Sequence, residues 1–286
     1  MSSPLSLTAP STLDYFAALV ADDKSFPLLE AAVSIAQDDD PALDVQGTLA
    51  RVDELAERLR RRLPADASPL QRLRSVTQYF FQELGFSGNV NNYYDRRNSL
   101  LPAVLESRRG IPISLAVLFI EIARHLGLDA MGVSFPGHFL VKVPMPKGDV
   151  VIDPFTGHSL GREDLEERLL PYRQRAAHLP HGQSDWPLSL FLRAAPPRDI
   201  VARMLRNLKE IDRSRCDWAR LERSLARMVV LLPQDWDEHR DHALALAEMG
   251  QHRRAAAVLE AYLQQRPDAP DALALRRHQT AWLKLQ

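Results

Sequence analysis

Between Ser11 and Leu63 apolar residues recur at intervals of three and four, the period that collects them on one helical face. Residues 13–21, 26–37 and 43–62 therefore read as amphipathic helices, broken at Asp22-Asp23 and at Asp38-Asp39-Asp40-Pro41. A further helix is expected from about Ser68 to Leu84, with Ser68 as N-cap, Pro69 at the first helical position and Gly85 just past the end. Residues 86–97, rich in Gly, Asn and Tyr, carry no period and read as loop. Ser99 can cap a helix over residues 100–107 that Gly110 ends, and Pro112 starts another over residues 113–126. The latter, ISLAVLFIEIARHL, is apolar on nearly all sides, which predicts a buried central element.

After Gly127 the pattern becomes extended. Residues 130–135, 138–143 and 149–155 are short, rich in Val, Ile and Phe, and separated by Pro/Gly turns, which predicts a small antiparallel sheet. A short helix around residues 163–170 leads into a proline-studded connector (Leu179-Pro180-His181, Trp186-Pro187, Pro196-Pro197), where a domain boundary is expected. Beyond Pro197 the sequence is helical and repetitive. Pro233 and Pro267 stand 34 residues apart, and Ala255, Leu259 and Tyr262 correspond at that step to Leu221, Leu225 and Met228. This is the period of a tetratricopeptide repeat. Cys216 occupies the turn position that Gly250 holds in the second unit. The expected domains are residues 1–196 and 197–286.

The balance of 36 Lys+Arg against 37 Asp+Glu gives no global attraction for a polyanion. Residues 198–227 hold nine Lys/Arg and five Asp/Glu, but without interleaved aromatics they read as a solvated repeat face, so no nucleic-acid partner is expected. One cysteine excludes an internal disulfide framework and a multi-cysteine zinc site, and fits a reducing compartment; the cytoplasm is expected. The apolar run at residues 115–120 is six residues and none exceeds seven, against about 20 for a membrane helix. No basic residue precedes Lys24, so export is not expected, and no membrane partner either. Phosphate-binding glycine loops, dinucleotide fingerprints and metalloprotease motifs are absent, so no cofactor or metal is expected. His239 and His242, three apart on one helix, lack an evident third ligand.

The chemistry-bearing stretch is residues 108–157, a buried helix followed by strands bearing His138 and Asp153. The two pair directly if the hairpin turns between Met145 and Pro146, and then share one face of the sheet. A His oriented by a carboxylate near a helix N-terminus is the logic of a nucleophilic triad.

Gly110, Gly127, His138 and Asp153-Pro154 resemble the transglutaminase-like superfamily, a papain-like acyl-transfer fold with Gly-x-Cys at a helix start, a His-bearing strand and Asp-Pro on the next. NSLLPAVLESRRGIPISLAVL, PGHFLVKV, VIDPFTG and RNLKEID look like the SirB family in particular, in which a helical segment and this core precede tetratricopeptide repeats. The resemblance implies an α+β protein: a helical N-terminal segment and a transglutaminase-like core with a small sheet, then an all-helical repeat domain. It also places the nucleophilic cysteine position on Pro112, with Ser114 two residues later. Cys216, in a helix-helix turn where a small packed residue is expected, is no replacement.

The expected function is an interaction or regulatory protein on a catalytic fold that lacks its thiol, binding a protein or peptide through the cleft around His138 and Asp153 and through the repeats. Asn98, Arg109 and Tyr94 are the candidate ligand contacts, with Asn98 alternatively a helix cap. The alternative from another class is a hydrolase or acyl transferase using Ser114, His138 and Asp153, which requires Ser114 Oγ within about 3 Å of a His138 nitrogen. In a third reading the core is only a scaffold for the repeats.

Overall fold

The structure, a computed structural model, describes residues 10–177 and 186–285. Leu179, Pro180 and His181 of the expected connector lie outside the described residues. Helices α1 (Thr12–Leu19), α2 (Leu28–Ser34), α3 (Val45–Arg60) and α4 (Pro69–Thr77) answer the four predicted N-terminal helices. Their starts are chemically marked. Ser11 and Asp14 form a capping box on α1, Asp44 accepts from the Gly47 amide on α3, and Ser68 and Gln71 form the box expected at Pro69. The second helix stops earlier than its pattern and tightens into a 3-10 turn, Ile35–Asp38.

After α4 the backbone widens into a π-helical turn, Gln78–Glu83. Consecutive Phe80 and Phe81 thereby both reach Phe119, at ring separations of 5.5 and 5.7 Å, and Phe80 stacks on Phe86 at 4.3 Å. The segment read as loop contains a strand, β1 (Ser87–Gly88), paired in parallel with β2 (Arg109–Gly110), and a 3-10 turn, Arg96–Ser99. These short pieces escape a periodicity argument because two residues make no period. Helix α5 (Leu101–Ser107) is entered through Leu100 without a capping side chain, so Ser99 and Asn98 are not its caps, and Arg108 in the left-handed conformation ends it before Gly110. Helix α6 (Pro112–His125) is the predicted central element, buried from Ile113 through Ile120 and again at Ile122 and Ala123.

The sheet runs β3 (Met131–Val133), β4 (Leu140–Met145), β5 (Gly148–Ile152) and β6 (Ser159–Leu160), in that order and antiparallel throughout. The hairpin joins Met145 to Gly148 and turns between Pro146 and Lys147, one residue later than expected. Pairing therefore shifts by two residues, which preserves the face of every side chain. Leu140 and Val151 face α7 (Arg162–Ala177), where they pack with Leu165 and Leu169. A short helix, α8 (Leu188–Phe191), adds Leu188 and Phe191 to that cluster.

The C-terminal helices are α9 (Pro197–Ser214), α10 (Trp218–Leu231), α11 (Trp236–Glu248), α12 (His252–Gln265) and α13 (Ala272–Lys284). All six residues of the 34-residue correspondence are buried, none more than 2% exposed. Cys216 and Gly250 share positive φ, 53° and 72°, at the equivalent turns. Cys216 is exposed rather than packed, because the left-handed turn points its side chain to solvent.

Two compact units divide the protein, and neither is continuous in sequence: one gathers Leu28–Ala36 and Asp44–Met204, the other Met1–Pro27, Gln37–Leu43 and Leu205–Gln286. The division falls at Met204 rather than at Pro196-Pro197, since Pro197 sits in the first turn of α9, where proline starts a helix instead of making a linker. The N-terminal segment groups with the repeats. Phe16 of α1 is fully buried beneath the Arg227 guanidinium, 4.8 Å from its ring, and Arg227 grips Asp38 with two bonds of 2.8 Å.

Candidate functional site

Sheet alternation determines where the candidate residues go. His138 lies two residues before Leu140 and Asp153 two after Val151, so both belong to the α7 face. On α7, Arg168 lies between Leu165 and Leu169 on the side that packs there. Its guanidinium enters between the two candidates: Nη2 donates to Asp153 Oδ2 at 3.0 Å, and Nη1 makes a longer contact of 3.4 Å with His138 Nδ1. The other Asp153 oxygen accepts from the Phe155 amide at 2.9 Å, closing the turn after β5. Asp153 is 6% exposed, and both of its oxygens are thus engaged by partners other than His138.

An arginine is a donor only and stays protonated. For that contact to be a hydrogen bond, His138 Nδ1 accepts and a neutral ring carries its proton on Nε2. In a nucleophile-activating dyad the assignment is reversed: Nδ1–H points at the carboxylate and Nε2 offers its lone pair. Burial, then Arg168, push the His138 pKa below its ordinary value of 6.5, and Asp153 opposes them incompletely, so the ring is neutral at pH 7.

Ser114 is elsewhere. Fully buried in the first turn of α6, its hydroxyl accepts from the Ile111 amide at 3.1 Å and lies 2.6 Å from the Asn98 carbonyl, to which it donates. A Cβ at Gly110 would stand 2.7 Å from Ser114 Oγ, so glycine there permits the close fit. Among the described residues no hydrogen bond joins Ser114 to His138, in contrast to the contact the hydrolase alternative requires.

Asn98, 3% exposed, donates its amide to the carbonyls of Asn92 (2.6 Å) and Tyr93 (3.2 Å) and accepts from Asn89 at 3.0 Å. It shapes the 89–95 loop from beneath. Exposed Arg109 spends its guanidinium on the carbonyls of Gly85 (2.7 Å) and Arg108 (3.1 Å). Tyr94, 75% exposed, lies edge-on to Tyr93, whose ring is 6.0 Å from Phe155. His239 and His242 bond to the Pro233 carbonyl and to Glu222 respectively. No helix among the described residues is long and apolar enough to cross a membrane.

Sequence reasoning missed Arg168, Arg203 and Tyr172. Arg203 lies over Phe139 at 5.6 Å, on the stripe of α9 that buries Ile200 and Met204. The available signal was a charge interrupting an apolar face three residues after Ile200, as Arg168 does after Leu165. Tyr172, one turn beyond Arg168, sits against Gly137, where an added Cβ would overlap its hydroxyl.

Comparison with known proteins agrees with this architecture. Residues 46–206 match the family model of the transglutaminase-like superfamily, and residues 208–278 match that of the tetratricopeptide repeat. A UPF0162 protein of Xylella fastidiosa (strain Temecula1) is 40% identical over 258 residues, 90% of each sequence. A UPF0162 protein of Pseudomonas aeruginosa is 34% identical over 184 residues, 64% of each sequence, and the UPF0162 protein YchA of Escherichia coli K12 is 26% identical across 83% of this sequence and 85% of its own. No solved structure matches. With the core over its middle and repeats after it, the protein belongs to the transglutaminase-like superfamily, in the SirB-type group of UPF0162 proteins.

Proposed function

We propose that this is a regulatory binding protein built on a catalytic fold: the surface around His138 holds a segment of a polypeptide partner without making or breaking bonds, and the helical repeats hold a further stretch of the same partner. The observation that carries this reading is Arg168 between His138 and Asp153. It reverses the proton assignment that activation of a nucleophile needs, at a site where Pro112 stands in place of the thiol. The repeats support the same reading, since stacked helical hairpins present extended surfaces to peptides. A reducing compartment, in keeping with exposed, unpaired Cys216, belongs to the proposal.

Nitrogen-15 NMR of the imidazoles tests it. The expected result is a neutral His138 protonated on Nε2, together with no covalent mass increase at Ser114 after exposure to a fluorophosphonate probe. A proton on Nδ1 accompanied by an adduct that disappears in Ser114→Ala overturns the reading.

A further inference from the structure

The cationic groups around His138 do not balance. Arg168 is neutralised by Asp153 at 3.0 Å. Arg203 has no hydrogen bond or ion pair with any of the described residues; its guanidinium lies 5.6 Å from the Phe139 ring centre, close enough to Tyr93, Tyr172 and His138 for each to feel its field. The residue is half-buried, and burial pushes its guanidinium below the ordinary value. A cation in this position has given up much of its hydration and received only the face of an aromatic ring in return.

What surrounds Arg203 is suited to an anion that arrives from outside. The Tyr172 hydroxyl is held over Gly137, whose φ of 71° and missing Cβ leave room for it. The Tyr93 ring, 43% exposed, feels the field of the same guanidinium and continues through Tyr94 and Phe155 into an aromatic rim. His138 presents an Nε2–H donor, as the contact of its Nδ1 with Arg168 requires. Donors therefore converge beside an uncompensated charge, and flat apolar rings lie next to them. An arginine fork matches the two oxygens of a carboxylate, and aromatic rings accept the apolar side chain beside it.

We propose that Arg203, with Tyr172, Tyr93 and His138, forms the receptor for a carboxylate of the bound peptide, set beside an aromatic or aliphatic side chain that packs on Tyr94 and Phe155. The inference rests on the binding reading above and specifies the ligand for it. The carboxylate comes from the C-terminus of a polypeptide or from an Asp or Glu side chain.

The experiment uses the full-length protein and four probes: the peptide acetyl-Ala-Phe-Ala with a free C-terminus, its C-terminal amide, the amidated peptide acetyl-Ala-Glu-Phe-Ala, and inorganic phosphate. Binding is followed by the His138 ring proton signals in NMR. Saturable binding of the free-acid peptide assigns a C-terminus; saturable binding of the Glu peptide assigns an acidic side chain; the plain amide leaves the signals unmoved. Arg203→Gln weakens the productive probe at least about tenfold without lowering Tm, because it removes an unpaired cation, while Arg203→Lys, keeping charge without the fork, falls between. Failure of both carboxylate peptides to saturate by about 10 mM, saturation by phosphate alone, or equal binding by Arg203→Gln each overturns the proposal. Such a failure with no adduct at Ser114 leaves the binding reading standing, whereas a Ser114 adduct with intact peptide binding removes that reading and keeps this site.

Discussion

The hydroxyl of Ser114 donates to the backbone carbonyl of Asn98, 2.6 Å away, across sixteen positions of sequence. It ties the start of α6 to the 3-10 turn that shapes the 89–95 loop, with the side chain fully buried. Ser114→Ala is expected to cost about 1 kcal/mol in denaturant unfolding, as for a buried neutral hydrogen bond. Gly110→Ala, which drives a Cβ against Ser114 Oγ, is expected to cost less in the Ser114→Ala background than in the wild type. Equal costs in the two backgrounds would show that the contact does not restrain Gly110.

The pH dependence of stability tests the state of His138. Arg168 and Arg203 act on the ring with positive charge and Asp153 with negative charge. Because the folded pKa is lowered from 6.5, the unfolded state takes up a proton that the folded state refuses as pH drops below that value. Stability is therefore highest above about pH 6.5 and declines from there down to the folded pKa. His138→Gln is expected to flatten that part of the curve, measured by urea unfolding between about pH 5 and pH 8. An unchanged slope in the variant would contradict the assignment.

Lys209 carries the polar interior of the repeat unit. Its ammonium, 7% exposed, lies 2.6 Å from Glu238 and 2.8 Å from Asp241. Burial pushes the Asp241 carboxyl up, but Lys209, Arg213 and Arg240 together hold it below its ordinary value. Lys209→Met strands carboxylates in the interior and is expected to cost about 3 kcal/mol at neutral pH, a cost that shrinks on acidification as Asp241 takes up a proton. Calorimetry at neutral and mildly acidic pH reads both effects.

Cys216 adopts a φ of 53°, a conformation that costs a residue with a side chain about 1–2 kcal/mol and that Gly250 holds freely at the equivalent turn. Cys216→Gly is expected to raise stability by up to about 1 kcal/mol, the relief being offset in part by glycine's greater freedom when unfolded. A fall in Tm would show that the exposed thiol has a partner worth more than the strain.

A fragment starting at Pro197 is expected to unfold without a cooperative transition, because it lacks Phe16 and Asp38, the buried partners of Arg227. Arg227→Met in the full-length protein, leaving Asp38 unpaired, is expected to cost about 3 kcal/mol. Circular dichroism melts of both distinguish this outcome from a self-sufficient repeat domain.

Residues whose roles follow from local chemistry were legible in the sequence. The apolar circumference of α6 announced its burial, Ser68-Pro69 announced a helix start, and the 34-residue step placed Leu221, Leu225 and Met228 in the core. The pairing of β4 with β5 was legible in face but not in register, since alternation constrains parity and not the residue at which the hairpin turns. Arg168 was not legible. Its place between His138 and Asp153 is determined by how α7 lies across the sheet, a relation between elements that no local pattern encodes. For the same reason the sequence left Ser114 open to two uses, facing His138 or satisfying the start of its own helix, and did not point to Asn98 as its acceptor.

The ion pair between Asp38 and Arg227 spans 189 positions, with nearly the whole transglutaminase-like unit encoded between its partners. On a ribosome adding about 5–20 residues per second, Asp38 emerges about 10–40 s before the arginine it needs. The core can close during that interval, since its own segments are contiguous apart from α2, whereas α1 must wait. The order of assembly is thus written into the connectivity: α1, synthesised before the core, is among the last elements to find its place, and in the meantime its apolar face, Phe16 included, is exposed to chaperones and proteases.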